Sequence, residues 1–442
     1  MAERPASLSG KNSALLAALA TAVVLGSTGI YVGFSGSDDT LAAASNKTRH
    51  SASAASAGNW VGTWSTSPAG PEPLTERGYP GMSIRNVVHA SIGGSSVRVR
   101  LSNLFGREPL TIDHASIALA SAPNLPTAAE NSLRRLTFSG NTSVTIPAGQ
   151  SVSSDPARLD VPAAADLLVT TYAPSPSGPV TYHPHARQTS YMAHGDKTQD
   201  PNGTAYRQQS PFWRYVTGVD VLTDEANGSV VVLGDSITDG ITSTAGANRR
   251  FPDYLADRLR TEQGAPRYGV LNEGISGNRV LADGGLGVPP GNPSALNRFE
   301  RDALGRTGVK AIVIELGVND ILRAPHRTDP TEITDGLRKL VRRAHAHGLR
   351  VVGGTLMPFH GHRGYTARLN WVREQVNAEI RSGRVFDDVV DFDRALRDPA
   401  NPRRLLAKYD SGDHLHPSDA GYQAMARALN LSHLKGSAPA AL

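Results

Sequence analysis

Val230-Val231-Val232-Leu233-Gly234 runs straight into Asp235-Ser236-Ile237-Thr238-Asp239, an apolar run followed at once by a small polar cluster. A continuous apolar run of this length reads as a strand buried on both faces, as in a parallel sheet. Similar runs follow at Tyr268-Gly269-Val270-Leu271-Asn272, Ala311-Ile312-Val313-Ile314-Glu315-Leu316, Val351-Val352-Gly353-Gly354-Thr355-Leu356 and Val389-Val390-Asp391-Phe392. Helical patterns separate them. The clearest opens at Asp329-Pro330-Thr331-Glu332, where Asp329 can cap, Pro330 suits the first helical position and Glu332 completes a capping box. Ile333, Leu337, Leu340, Val341 and Ala344 then share one face, and Gly348 stops the helix. Alternating strands and helices imply an α/β domain whose parallel sheet is covered on both sides, assigned here to residues 227–435.

Upstream the pattern is different. Ser96-Val97-Arg98-Val99-Arg100-Leu101-Ser102 alternates apolar and polar residues, as a half-buried strand does. Ser116–Leu119, Ser143–Ile146 and Asp166–Tyr172 are further short strands, parted by breaks such as Pro147-Ala148-Gly149. Residues 59–226 are therefore expected to form an all-β, sandwich-like domain. Residues 45–58 are rich in Ser and Ala and read as a flexible linker. At the N-terminus, Arg4 and Lys11 precede the apolar run Ala14–Leu25, and small residues follow. That order predicts a signal peptide over residues 1–44 and a secreted, extracellular protein with no stable membrane span after its removal. An uncleaved anchor is the competing reading, because no charge interrupts residues 13–37.

The length of 442 residues favours two domains, and 39% hydrophobic with 19% charged residues is a globular composition. The net charge of +5 is spread without a Lys/Arg block, so nucleic acid is not an implied partner. The chain has no cysteine, which excludes disulfides, thiolate catalysis and thiolate metal sites.

In a parallel α/β sheet, sites form beyond the carboxyl ends of the strands. Four segments there carry chemistry: Gly234-Asp235-Ser236, Gly274-Ile275-Ser276-Gly277-Asn278, Gly317-Val318-Asn319-Asp320 and Asp410-Ser411-Gly412-Asp413-His414-Leu415-His416. Ser236 is the candidate nucleophile, and a serine hydroxyl needs a base within hydrogen-bond reach. His416 can be that base, and Asp413, three residues earlier, can fix its tautomer. Asp410 is a nearby rival for the third role. The backbone N–H groups of Ser236 and Gly277 and the side-chain amide of Asn319 are candidate oxyanion-hole donors. Asp235 and Asp320 read as loop-holding residues. His345 and His347 fall on different faces of one helix. His183 and His185, flanking Pro184, are expected at the surface rather than on a metal, for want of a third ligand. His360 and His362 follow the fourth strand, where they line either the cleft or a loop. No metal and no cofactor is implied, and no phosphate-binding glycine loop is present.

These four segments, in this order, resemble the blocks of the SGNH/GDSL hydrolase family, over roughly residues 228 to 432. The resemblance implies a three-layer α/β/α, flavodoxin-like domain, a Ser236–His416–Asp413 triad, and oxyanion donors at Ser236, Gly277 and Asn319. The first block has Ile237 where the family's other name suggests leucine. The upstream region is more loosely similar to the β-domain of secreted bacterial acyl-esterases of plant polysaccharides. The implied activity is hydrolysis of carboxylic esters, with acetyl or feruloyl esters of polysaccharide as the first substrate expectation. A lipase or phospholipase acting on lipid esters and a non-catalytic carbohydrate-binding protein are the alternatives.

Overall fold

The computed structural model describes residues 58–284 and 291–438. The expected signal peptide and all but the last residue of the expected linker lie outside the described residues. Among the described residues no helix is long and apolar enough to cross a membrane.

Between Asn59 and Thr223 every regular element is a strand. One antiparallel sheet has the order Asn59–Ser65, Val216–Thr223, Gly94–Ser102, Ala157–Val161, and a second includes Ser190–His194, Met82–His89, Asp166–Ala173 and His114–Leu119. The alternation read in Gly94–Ser102 works as expected. Val97, Val99 and Leu101 are fully buried, while Arg98 and Arg100 between them stay partly exposed. Those three join Ile84, Val88, Ile117, Leu167 and Val169 of the other sheet in a single apolar core. The second sheet also buries its back, where Val87, Ala118 and Leu168 meet Tyr191 and Tyr206.

The strand direction rule changes at Gly228. Among the described residues five parallel strands follow, in the order Tyr268–Gly274, Gly228–Gly234, Val309–Glu315, Arg350–Gly354, Asp388–Val390. Val230, Val231, Val232 and Leu233 are all fully buried. Successive strand side chains point to opposite faces, so both faces of the sheet are covered. Helices Phe251–Thr261 and Asp419–Ala428 pack together, as do Pro330–His345 and Ala367–Arg381.

Two local expectations are corrected. Asp329 does cap its helix, accepting from the Thr331 N–H at 2.9 Å, but no capping box forms. Glu332 turns instead to Arg327, 2.9 Å away. The expected fifth strand also ends before Phe392, because the Asp391 side chain accepts from the Arg394 N–H and starts the helix Phe392–Leu396.

The β-rich region lies directly against the edge strand Tyr268–Gly274. Gly62 and Gly269 permit the approach: a Cβ on Gly269 would sit 2.2 Å from the Gly62 carbonyl oxygen. The outward Val270 N–H donates to the Ser91 hydroxyl at 2.9 Å. Nearby, the buried Glu273 carboxylate accepts from Ser65 and from Ser67, the latter at 2.5 Å, and pairs with Arg306 at 2.7 Å.

Candidate active site

Ser236 opens a one-turn helix, Ser236–Asp239, immediately past the strand Gly228–Gly234, which lies next to the edge strand of the parallel sheet. The turn is tight. A Cβ on Gly234 would lie 1.9 Å from the Thr238 hydroxyl oxygen, so only glycine fits there. Asp235 caps the turn by accepting from the Ile237 N–H at 3.0 Å, and Gly240, at φ 92°, closes it. The Ser236 side chain is held at a strand end with 8% of its surface exposed.

His416 arrives from a loop 180 residues further on, and its Nε2 stands 2.8 Å from Ser236 Oγ. Its Nδ1 is 2.6 Å from Asp413 Oδ2. The other Asp413 oxygen accepts from the Leu415 and His416 N–H groups at 2.9 and 2.8 Å, so the carboxylate is locked to the backbone beside its histidine. Burial works to raise the Asp413 pKa, but the hydrogen bonds and the His416 charge prevail and hold it well below the usual carboxylate range. The rival Asp410 has a different partner: its Oδ2 lies 2.6 Å from His414 Nδ1. Asp410 also accepts from the Gly412 and His414 N–H groups, at 2.8 and 3.0 Å, and so shapes the loop. Gly361, at φ 103°, passes under this loop, where a Cβ would come within 2.9 Å of the His414 ring.

The three candidate donor groups sit just past three adjacent strands of the parallel sheet. Asn319 lies in the short helix Val318–Leu322 after the third strand, and its Nδ2 donates to Asp235 Oδ2 at 3.0 Å. Arg323 Nε donates to the same side chain's Oδ1 at 2.9 Å, which settles the amide orientation. Gly277 is the third residue of a turn closed by the Asn278 N–H on the Ile275 carbonyl at 3.0 Å. Its φ of 78° is the positive value that a type II turn requires at this place. Ile275 N–H in turn donates to the Gly234 carbonyl at 3.1 Å, beside the serine turn. Asp320 holds the far side of the loop by accepting from the Val280 and Leu281 N–H groups at 2.8 and 3.1 Å.

Burial raises the carboxyls around this frame. Asp320 is pushed up to about 6 by desolvation. Asp235 is also raised by burial, and Glu315 behind it is raised well above its ordinary value by burial and by the Asp235 charge.

Several residues here were not singled out by the sequence, and one was misplaced. His183, expected at the surface, is 2% exposed and bridges Asp239 Oδ1 at 2.9 Å and the Ser67 carbonyl at 2.8 Å. It is buried because the β-rich region packs on the serine turn. His185 and His362 both fall within electrostatic reach of His416; burial lowers the pKa of each, favouring the neutral ring. Arg298, fully buried, donates to the Gly234 carbonyl at 2.8 Å and to Asn278 Oδ1 at 3.0 Å, tying the serine strand to the Gly277 loop. His362 follows the fourth strand, where the sequence left a cleft or a loop role open, and Asp239 stands three residues after Ser236 on the same turn, whereas nothing in the sequence marked Arg298. Among the described residues no three His, Asp or Glu side chains gather as a metal-ligand set.

Residues 232–424 match the family model of GDSL-like lipases and acylhydrolases. That span includes Ser236, Gly277, Asn319, Asp413 and His416. No curated protein matches the chain. Among solved structures it is similar to a GDSL-like lipase from Bacteroides thetaiotaomicron, with 18% identity, 45% of this chain and 84% of the other covered, and a TM-score of 0.33. The carbohydrate acetylesterase Est24 from Sinorhizobium meliloti gives 18% identity, coverage of 45% and 95%, and a TM-score of 0.36. The acetyl xylan esterase AlAXEase gives 19% identity, coverage of 45% and 96%, and a TM-score of 0.34.

Proposed function

We propose that this chain, whose residues 232–424 are a GDSL-like acylhydrolase domain, is an exported serine esterase working through Ser236, His416 and Asp413 on short-acyl esters of polysaccharides. The observation that carries the triad is the continuous path from Ser236 Oγ to His416 Nε2 at 2.8 Å and from His416 Nδ1 to Asp413 Oδ2 at 2.6 Å.

In this reading Ser236 attacks the ester carbonyl as His416 takes its proton. Asp413 keeps the imidazole oriented and stabilises the imidazolium. The Ser236 and Gly277 N–H groups make no other hydrogen bond among the described residues, and they receive the oxyanion together with an Asn319 Nδ2 hydrogen. His416 then gives its proton to the departing alcohol, leaving an acyl-serine. Water, deprotonated by the same imidazole, releases the acid and restores Ser236. Each proton transfer is carried by His416, so the reading calls for no cofactor.

A polar substrate suits the surroundings better than a lipid surface. His185 and His362 flank the imidazole. The exposed large apolar side chains among the described residues are Leu74 and Leu125 in loops and Trp371 on the helix Ala367–Arg381, far apart in sequence, whereas an interfacial lipase needs a contiguous apolar patch. Labelling by a fluorophosphonate probe, abolished by Ser236→Ala, is the expected result for the wild-type protein. Absence of labelling would leave a carbohydrate-binding module as the better reading. Rates on p-nitrophenyl acetate, butyrate and palmitate are expected to fall in that order. Release of acetate from acetylated xylan, set against cleavage of methyl ferulate, then identifies the acyl group.

A further inference from the structure

His183 belongs to the strand Thr181–His183 of the β-rich region, yet its ring ends in the serine turn. Both ring nitrogens face acceptors: a carbonyl oxygen on Ser67 and a carboxylate on Asp239. A neutral imidazole has only one N–H, so this geometry is satisfied by the doubly protonated ring. Asp239 divides its oxygens. Oδ1 receives His183, while Oδ2 accepts from the Ser276 N–H at 3.1 Å and the Ser276 hydroxyl at 2.6 Å. Ser276 is the second residue of the turn whose third residue is Gly277, so its two bonds anchor the first half of that turn, directly before the peptide that carries the Gly277 N–H. His183 and Asp239 are 2% and 3% exposed, and little else holds the carboxylate in place.

Resting on the esterase reading above, we propose that His183 is a positioning residue for hydrolysis: through Asp239 and Ser276 it fixes the turn that presents the Gly277 N–H to the oxyanion. The β-rich region thereby completes the hydrolytic site. Burial alone would lower the His183 pKa, but the charge of Asp239 and the bonds to Asp239 and Ser67 raise it. His185, Arg250 and the Trp213 ring, 5.6 Å away, also face this histidine; the nearby Arg250 charge opposes its protonation. As pH rises through its raised pKa, His183 loses one proton and one of its acceptors loses a donor.

The test compares full-length wild type with His183→Ala, His183→Gln and Ser276→Ala on p-nitrophenyl acetate, alongside fluorophosphonate labelling and thermal unfolding. Removing an oxyanion donor outright costs about 10²–10³ in kcat, and a donor that is only misaimed retains part of that. His183→Ala is therefore expected to lower kcat about tenfold or more with KM little changed. Gln, which can keep an N–H toward Asp239, restores much of the rate and abolishes the alkaline fall in kcat. Ser276→Ala, at a partly exposed position, is expected to fold as wild type does and to lose kcat severalfold. Wild-type kcat in folded His183→Ala, or in Ser276→Ala should the first variant not fold, overturns the inference. A wild-type protein that is neither labelled nor active sinks the esterase reading itself, whereas active wild type with unaffected variants removes only the role of His183.

Discussion

Asp410 and Asp413 each hold a histidine in one seven-residue loop, but only His416 meets the serine. The two carboxylates are therefore separable by mutation. Asp413→Asn is expected to cut kcat/KM by about 10²–10⁴, because an asparagine can leave the imidazole in the wrong tautomer. Asp410→Asn is expected to cost far less, and comparison of the two on one substrate checks this. Asp413 is held ionised well below the usual carboxylate range, so it keeps its charge in mild acid and does not set the acid limit of activity. Asn319→Ala is expected to lower kcat by about 10²–10³ while KM changes little, as read in steady-state kinetics. The segments that carry Ser236, Asp413 and His416 stood out in the sequence because each is a short polar motif, the first directly after a strand and the other two just ahead of the helix Asp419–Ala428. His183 was not. Its partner Asp239 is 56 residues away, and a single long-range ion pair leaves no periodic trace in sequence.

Among the elements, the apolar runs located all five parallel strands, since a strand buried on both faces has to be apolar throughout. Their ends were less legible. Phe392 is apolar in either setting, and only the Asp391 cap moves it from strand to helix. Likewise Glu332 has the spacing for a capping box, but Arg327 competes for it at the surface. Glu332→Ala is accordingly expected to change stability by no more than about 0.5 kcal/mol in denaturant unfolding. Gly353 is the opposite case. It is fully enclosed in the strand Arg350–Gly354, and a Cβ there would lie 1.8 Å from the Phe386 ring. Gly353→Ala is expected to destabilise by about 1–3 kcal/mol, or more if Phe386 cannot move, measured by the same unfolding experiment.

Across the whole molecule, strand direction switches from antiparallel to parallel between Thr223 and Gly228, and the change in sequence pattern there was visible. The cohesion across that point was not, because it rests on groups such as Ser67 and Glu273, 206 residues apart. Arg306→Ala would remove the counter-ion of the buried Glu273, a loss of about 3–5 kcal/mol. Calorimetry of the wild type is expected to give one transition, and two well-separated ones would show that the regions unfold independently. The His183–Asp239 pair adds a pH window. Asp239 is depressed despite burial, chiefly by the His183 charge, so its contribution is lost as pH falls through its folded pKa. His183 is raised, so its contribution is lost as pH climbs through its own. Thermal stability is expected to peak between those limits, and His183→Gln to flatten the alkaline side. The hydroxyl of Ser91 on the Val270 N–H has a separate consequence. An uncovered outer strand is a template on which a second chain can add and grow into an aggregate. With one of its free amides already occupied and the Gly62 backbone lying over it, this border offers newcomers little to pair with, so the β-rich half also serves as a built-in guard against fibril-like self-assembly.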